Sequence, residues 1–158
     1  MTLHLTESLS RTAWPPYRLA NLEPHQVWEQ AGVAEERAFA FSQGNLSILK
    51  ALSSERDFKP QVLLDNHHPT FSLLRKRLTD LQWRLLKAIA LQERVAQPHA
   101  FEFLVANKLG AASSVERALR NLLQTDLIIK EEEEGYRLSN TLLMRWIQSL
   151  YGSEKALT

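Results

Sequence analysis

Apolar residues recur at helical spacing along most of this chain. Val115, Ala118, Leu119, Leu122 and Leu123 fall at i, i+3, i+4, i+7 and i+8, which gives one apolar helix face. The opposite face carries Ser114, Arg117, Arg120, Asn121 and Gln124. Leu81, Leu85, Leu86, Ala88 and Ile89 form a second stripe, with Arg84 and Lys87 outside it. Phe101, Leu104 and Val105 are expected inward on a helix from Ala100 to Lys108, and Leu142, Leu143, Trp146, Ile147 and Leu150 inward on a closing helix. The pattern turns strand-like at Leu127–Lys130 and at Tyr136–Leu138, on either side of a Glu131–Gly135 turn. The fold class read from this is mainly α with a small β-hairpin.

Turn and cap residues set the boundaries. Gly110 suits a tight turn, Ser113 offers a hydroxyl cap to the next helix, and Glu116 three residues later would complete a capping box. Thr79 and Asn140 are expected caps for the helices that follow them. Arg94–Pro98 reads as a brief extended piece. Helix, short strand, helix, turn, helix and hairpin is the order of a winged helix-turn-helix, which the pattern places at 71–158 with its wing tip at Glu131–Gly135. Ahead of it lies a helical unit, 1–70. Trp14-Pro15-Pro16-Tyr17 is extended, a short helix runs from Leu22 to Gly32, and two more run from Ala34 to Ser42 and from Asn45 to Ser53. Ser53–Pro69 is the expected linker, with Pro60, Asp65-Asn66-His67-His68 and Pro69 as turn formers and Val62-Leu63-Leu64 as a short strand or turn. The expected winged-helix core is Leu81, Leu85, Ile89, Leu104, Val115, Leu119, Leu122, Ile128, Leu138, Trp146 and Leu150.

Leu78 to Ala90, the Ala112-Ser113-Ser114-Val115-Glu116-Arg117-Ala118-Leu119 segment, and Gly135-Tyr136-Arg137-Leu138 followed by Leu143 and Trp146 together resemble the winged helix that ends many prokaryotic, archaeal-type AAA ATPases. Trp14-Pro15-Pro16-Tyr17 and Ser42-Gln43-Gly44-Asn45-Leu46 are similar, over shorter stretches, to the exit from the nucleotide domain and to the helical lid of those proteins. The chain contains no Gly-x-x-x-x-Gly-Lys-Ser/Thr loop, and no arginine follows Asn45 closely enough to sense a phosphate. The resemblance implies the lid and winged-helix end of such an ATPase without its motor, and a protein that neither binds ATP tightly nor hydrolyses it.

Composition narrows the chemistry. The chain has 158 residues, 44% hydrophobic and 23% charged, with net charge +1. Any contact with nucleic acid must therefore come from a local patch. It has no cysteine, which rules out disulfides and thiolate metal sites. The first residues lack a signal-peptide pattern and no apolar run approaches bilayer length, so a cytoplasmic protein without membrane contact is expected. His67-His68 reads as part of a solvated turn, and Glu131–Glu134 as a solvated acidic tip without the spaced ligands of a calcium loop. No nucleophile, base and acid form a set, so a non-catalytic module with no cofactor is expected.

Two functions remain. As a module for double-stranded DNA, the chain would present Ser113, Ser114, Arg117, Arg120 and Asn121 from its second helix-turn-helix helix. Arg75, Lys76, Arg77, Arg84 and Lys87 would add phosphate contacts beside that helix. As a docking module it would meet an ATPase or another protein chain. From Thr79 to Tyr151 nine basic residues balance nine acidic ones, and the four glutamates of the wing disfavour an ordinary wing–DNA contact.

Overall fold

The computed structural model describes residues 36–53 and 60–152. The expectations for Trp14–Tyr17 and for the Leu22–Gly32 helix lie outside them. The chain begins with α1 (Glu36–Ser42) and α2 (Leu46–Ser53). Between them Gln43 and Gly44 both take positive φ, 51° and 79°. Asn45 caps α2, its Oδ1 accepting from the N–H groups of Ser47 and Ile48 at 3.0 and 3.2 Å.

Helix α3 (Pro60–Arg77) replaces the expected turn-rich linker over these residues. Pro60 sits at the first helical position, where its missing N–H is no loss. Pro69 lies inside the helix and forfeits one backbone bond. Burial of Leu64 and Phe71 on one side holds the helix across it. The turn-former signal at 65–69 was therefore overridden by packing. His67 and His68 are correspondingly not in a solvated turn. His67 stacks on Phe71 with ring centroids 5.8 Å apart, and His68 Nδ1 accepts from the buried Trp146 indole N–H at 3.2 Å.

Next come α4 (Asp80–Gln92), α5 (Phe101–Ala106), α6 (Ala112–Gln124), strands β1 (Ile128–Glu131) and β2 (Gly135–Leu138), and α7 (Thr141–Tyr151). Thr79 closes a capping box with Gln82 at the start of α4. Asn140 Oδ1 accepts from Leu143 N at 3.0 Å to cap α7. The strands pair antiparallel, Ile128 opposite Leu138 and Glu131 opposite Gly135. Val95 adds a bridge to Tyr136, with backbone bonds of 2.9 and 2.8 Å, so the extended piece after α4 lies along the hairpin. At Gly135 φ is +85°, and a β-carbon there would collide with the Val95 carbonyl and Ala96 Cα. Only glycine fits this end of the wing.

Leu85, Leu86, Ile89, Val115, Leu122, Ile128, Leu138, Leu143 and Ile147 are fully buried, and residues of α1–α3 such as Ala38, Leu49 and Phe71 join the same core. Leu104, Leu119 and Trp146 are buried as expected, while Leu81 is half-buried. Three expected core residues are not buried: Phe101 is 75% exposed, Val105 60% and Leu150 47%. In α5 the core side is taken by Leu104 together with Phe103. A helix of 6 residues gives too few positions for its apolar pattern to distinguish the two sides. Arg145 ties the two ends of the structure together. Its guanidinium donates to the carbonyls of Ala40 and Phe41 at 2.7 and 3.1 Å, and to Glu93 Oε1 at 3.0 Å. Helix order, hairpin and the bridging Val95 make this a winged helix-turn-helix preceded by the helices α1 to α3.

Candidate nucleic-acid interface

Helix α6 presents the candidate surface. Val115, Ala118, Leu119 and Leu122 are buried against α4 and β1, which leaves Ser113, Ser114, Arg117, Arg120 and Asn121 exposed on the other side. The apolar stripe thus fixes which side chains face outward. Lys108, at φ 53°, and Gly110, at φ 82°, make the turn that leads into the helix, and Leu109 between them is buried.

The expected cap is corrected. The N-cap is Ala111, two residues before Ser113, and no side chain caps this end among the described residues. Glu116 pairs with Arg120 at 3.4 Å rather than closing a capping box. Ser113 and Ser114 sit inside the first turn, where helical φ/ψ is compatible with exposed hydroxyls, and the turn through Gly110 delivers the chain to the helix earlier than the serine signal suggested. Their hydroxyls therefore remain available at the positive end of the helix dipole.

The five basic residues expected beside α6 divide into groups. Arg75 pairs with Asp80 at 3.1 Å and lies over the Trp83 ring at 5.2 Å. Lys87 lies over Tyr151 at 4.9 Å. Arg84 reaches from α4 to the turn before α6, where its Nη1 donates to the Lys108 carbonyl at 2.8 Å. Lys76 and Arg77 are exposed in the last turn of α3. Cations there also complement the helix dipole. Helix α3 packs on α2 and α7 while α6 packs on α4 and β1, so only Arg84 among the five is joined to the entry of α6.

The wing is electrostatically closed on itself. Glu131 accepts from Arg94 at 2.9 Å and from Arg137 at 2.7 Å, and Glu134 also pairs with Arg94. Lys130 lies over the Tyr136 ring at 5.7 Å. Glu132 and Glu133 are the exposed carboxylates of the tip that carry no such pairing. The expected solvated tip holds for Glu132, Glu133 and Glu134, which are exposed, while Glu131 is half-buried between two arginines. The cross-strand register pairs Ile129 with Arg137, and the Val95 bridge brings Arg94 alongside, which a linear charge pattern does not reveal.

Sequence reading missed Lys108. It is exposed at the mouth of α6, and its position directly before Leu109-Gly110 was the signal that could have found it. Among the described residues no group of three His, Asp or Glu side chains is placed to hold a metal ion, and no helix is long and apolar enough to cross a membrane. A family model described as a probable winged helix domain matches residues 69–149. No curated protein and no solved structure matches the chain.

Proposed function

We propose, from the premise that this chain belongs to the probable winged helix domain family, that it binds duplex DNA through α6 with the acidic wing turned away. The observation that carries this is the outer face of α6, where Ser113, Ser114, Arg117 and Asn121 are exposed and Arg117 enters no ion pair among the described residues. Side chains of these types at the N-terminal part of such a helix reach base edges and phosphates. Arg120 is a lesser contributor because Glu116, one helical turn away, pairs with it at 3.4 Å. Lys76 and Arg77 would touch phosphates only if the duplex extended past α4 to the end of α3. The module works without catalysis and without a cofactor, and the cytoplasm is its proposed location.

With Arg117 and Lys108 the unpaired cations of α6 and its entry turn among the described residues, the affinity is modest and the salt dependence shallow. Each phosphate neutralised contributes about 0.9 to the slope of log affinity against log salt. Fluorescence anisotropy with a labelled duplex at two salt concentrations tests this: binding that weakens with salt is expected, and no binding at low ionic strength ends the reading. The second reading, docking to a protein, is favoured by one feature. Phe101 and Val105 stand exposed one turn apart on α5, which suits an apolar contact better than a phosphate backbone. The resemblance of the 78–90 and 112–119 segments to ATPase ends makes an ATPase chain the first partner to try, and Phe101→Ser would then abolish the complex while leaving DNA affinity unchanged.

A further inference from the structure

Arg84 carries a positive charge beside the candidate interface, but its hydrogen bonds go to backbone carbonyls of the chain itself. Nη1 donates to the Lys108 carbonyl at 2.8 Å and Nε reaches the Asp80 carbonyl at 3.4 Å. The first of these spans α4 and the turn before α6. Lys108 holds a left-handed backbone, φ 53°, which is costly for any residue with a β-carbon and persists only where surroundings enforce it. Leu109, buried, anchors the next residue, and Gly110 at φ 82° completes the reversal without strain. Lys108 is thus the strained member of this turn, and Arg84 grips its carbonyl oxygen.

We infer that Arg84 is a positioning residue: by holding the Lys108 carbonyl it fixes the turn and so sets the angle at which the outer face of α6 meets its ligand. This rests on the DNA reading for its binding consequences, but the turn geometry can be read independently. The two roles open to Arg84 leave different signatures. A lost phosphate contact flattens the salt dependence by about 0.9. A lost positioning contact lowers the fraction of molecules with a competent α6, which divides the affinity by the same factor at every salt concentration.

Arg84→Met, which keeps the aliphatic stem and removes the donors, is expected to weaken duplex binding by about three- to tenfold, within the range of an ordinary net hydrogen bond because this one is exposed to solvent. The salt slope should stay unchanged. Lys108→Gly relieves the left-handed strain, so in a double-mutant cycle the effect of Arg84→Met should shrink to about twofold or less in the Lys108→Gly background. A flattened slope, an unaltered affinity, or an undiminished effect in that background each overturns the inference. If the unmodified protein binds no DNA, the proposed function fails and the inference is read by amide hydrogen exchange. Faster exchange at Lys108 and Leu109, whose amides close the turn on the Val105 and Leu104 carbonyls, supports positioning in Arg84→Met, and unchanged exchange overturns it.

Discussion

Helix α6 and the wing both offer charged side chains to solvent, yet they treat charge in opposite ways. On α6 Val115, Ala118, Leu119 and Leu122 are used in packing, and on the outer face Glu116 pairs with Arg120 while Arg117 has no ion-pair partner among the described residues. In the wing, Arg94 and Arg137 are drawn onto Glu131 and Glu134, and Lys130 onto Tyr136. Available charge is what remains after pairing, and it is not proportional to the number of charged residues in a segment. A module that is neutral by count can still present one basic, hydrogen-bonding face if its carboxylates are matched elsewhere.

The contrast depends first on α6 being rigidly seated. Leu122 is fully buried beneath it, and Leu122→Ala should destabilise the fold by about 2–5 kcal/mol through the cavity left behind. Urea unfolding followed by far-UV circular dichroism measures this. A loss below about 1 kcal/mol would mean that α6 is not held on α4 as described, and its outward face would lose its definition.

The wing depends on a single backbone position. Gly135→Ala forces a β-carbon onto the Val95 carbonyl and Ala96 at a left-handed φ of +85°, and should cost about 2–4 kcal/mol. Thermal unfolding gives the loss, and amide exchange at Val95 and Tyr136 should show that the bridge opens before the helices do. Equal protection of bridge and helices would contradict a wing hinged on Gly135.

Much of this was legible in the sequence, and the reasons for success and failure are physical. The stripes of α4, α6 and α7 run for 13, 13 and 11 residues, long enough for the helical period to separate core from solvent. The caps at Thr79 and Asn140 were found because the cap is a local hydrogen bond between near neighbours. At α6 the same logic misfired: Ser113 has the right chemistry, but the chain had already entered the helix at Ala112. The 60–77 helix was hidden because proline and Asx–His signals report local preference, and Leu64 and Phe71 overrule them through contacts distant in sequence. The face of α6 was readable from spacing alone. The bond from Arg84 to the Lys108 carbonyl, the pairing of Arg94 with the wing and the reach of Arg145 to α1 were not, since each joins residues at least 24 apart.

The binding side of the contrast rests on Arg117. Arg117→Ala should weaken duplex binding and flatten the salt slope by about 0.9, the value of one phosphate contact. Arg120→Ala, starting from a side chain already paired with Glu116, should change the slope by less than half as much. Equal effects of the two substitutions would show that pairing on the helix surface does not decide which charge is available.

The smallest expected effect is the most discriminating for the wing. Glu131→Gln with Glu134→Gln and Glu132→Gln with Glu133→Gln each remove two negative charges, but only the first pair sets Arg94 and Arg137 free. If the wing is turned away from the duplex, both double variants act only through long-range repulsion. Each should then tighten binding equally, by about twofold or less at 0.1 M salt, where the screening length is about 10 Å. Stability should separate them, with a loss of about 0.5–1 kcal/mol for the Glu131/Glu134 pair and none measurable for the exposed Glu132/Glu133 pair. A steeper salt slope in the Glu131/Glu134 variant alone would mean that the released arginines reach phosphates. The wing would then lie against the duplex, and its glutamates would be holding back a second contact surface.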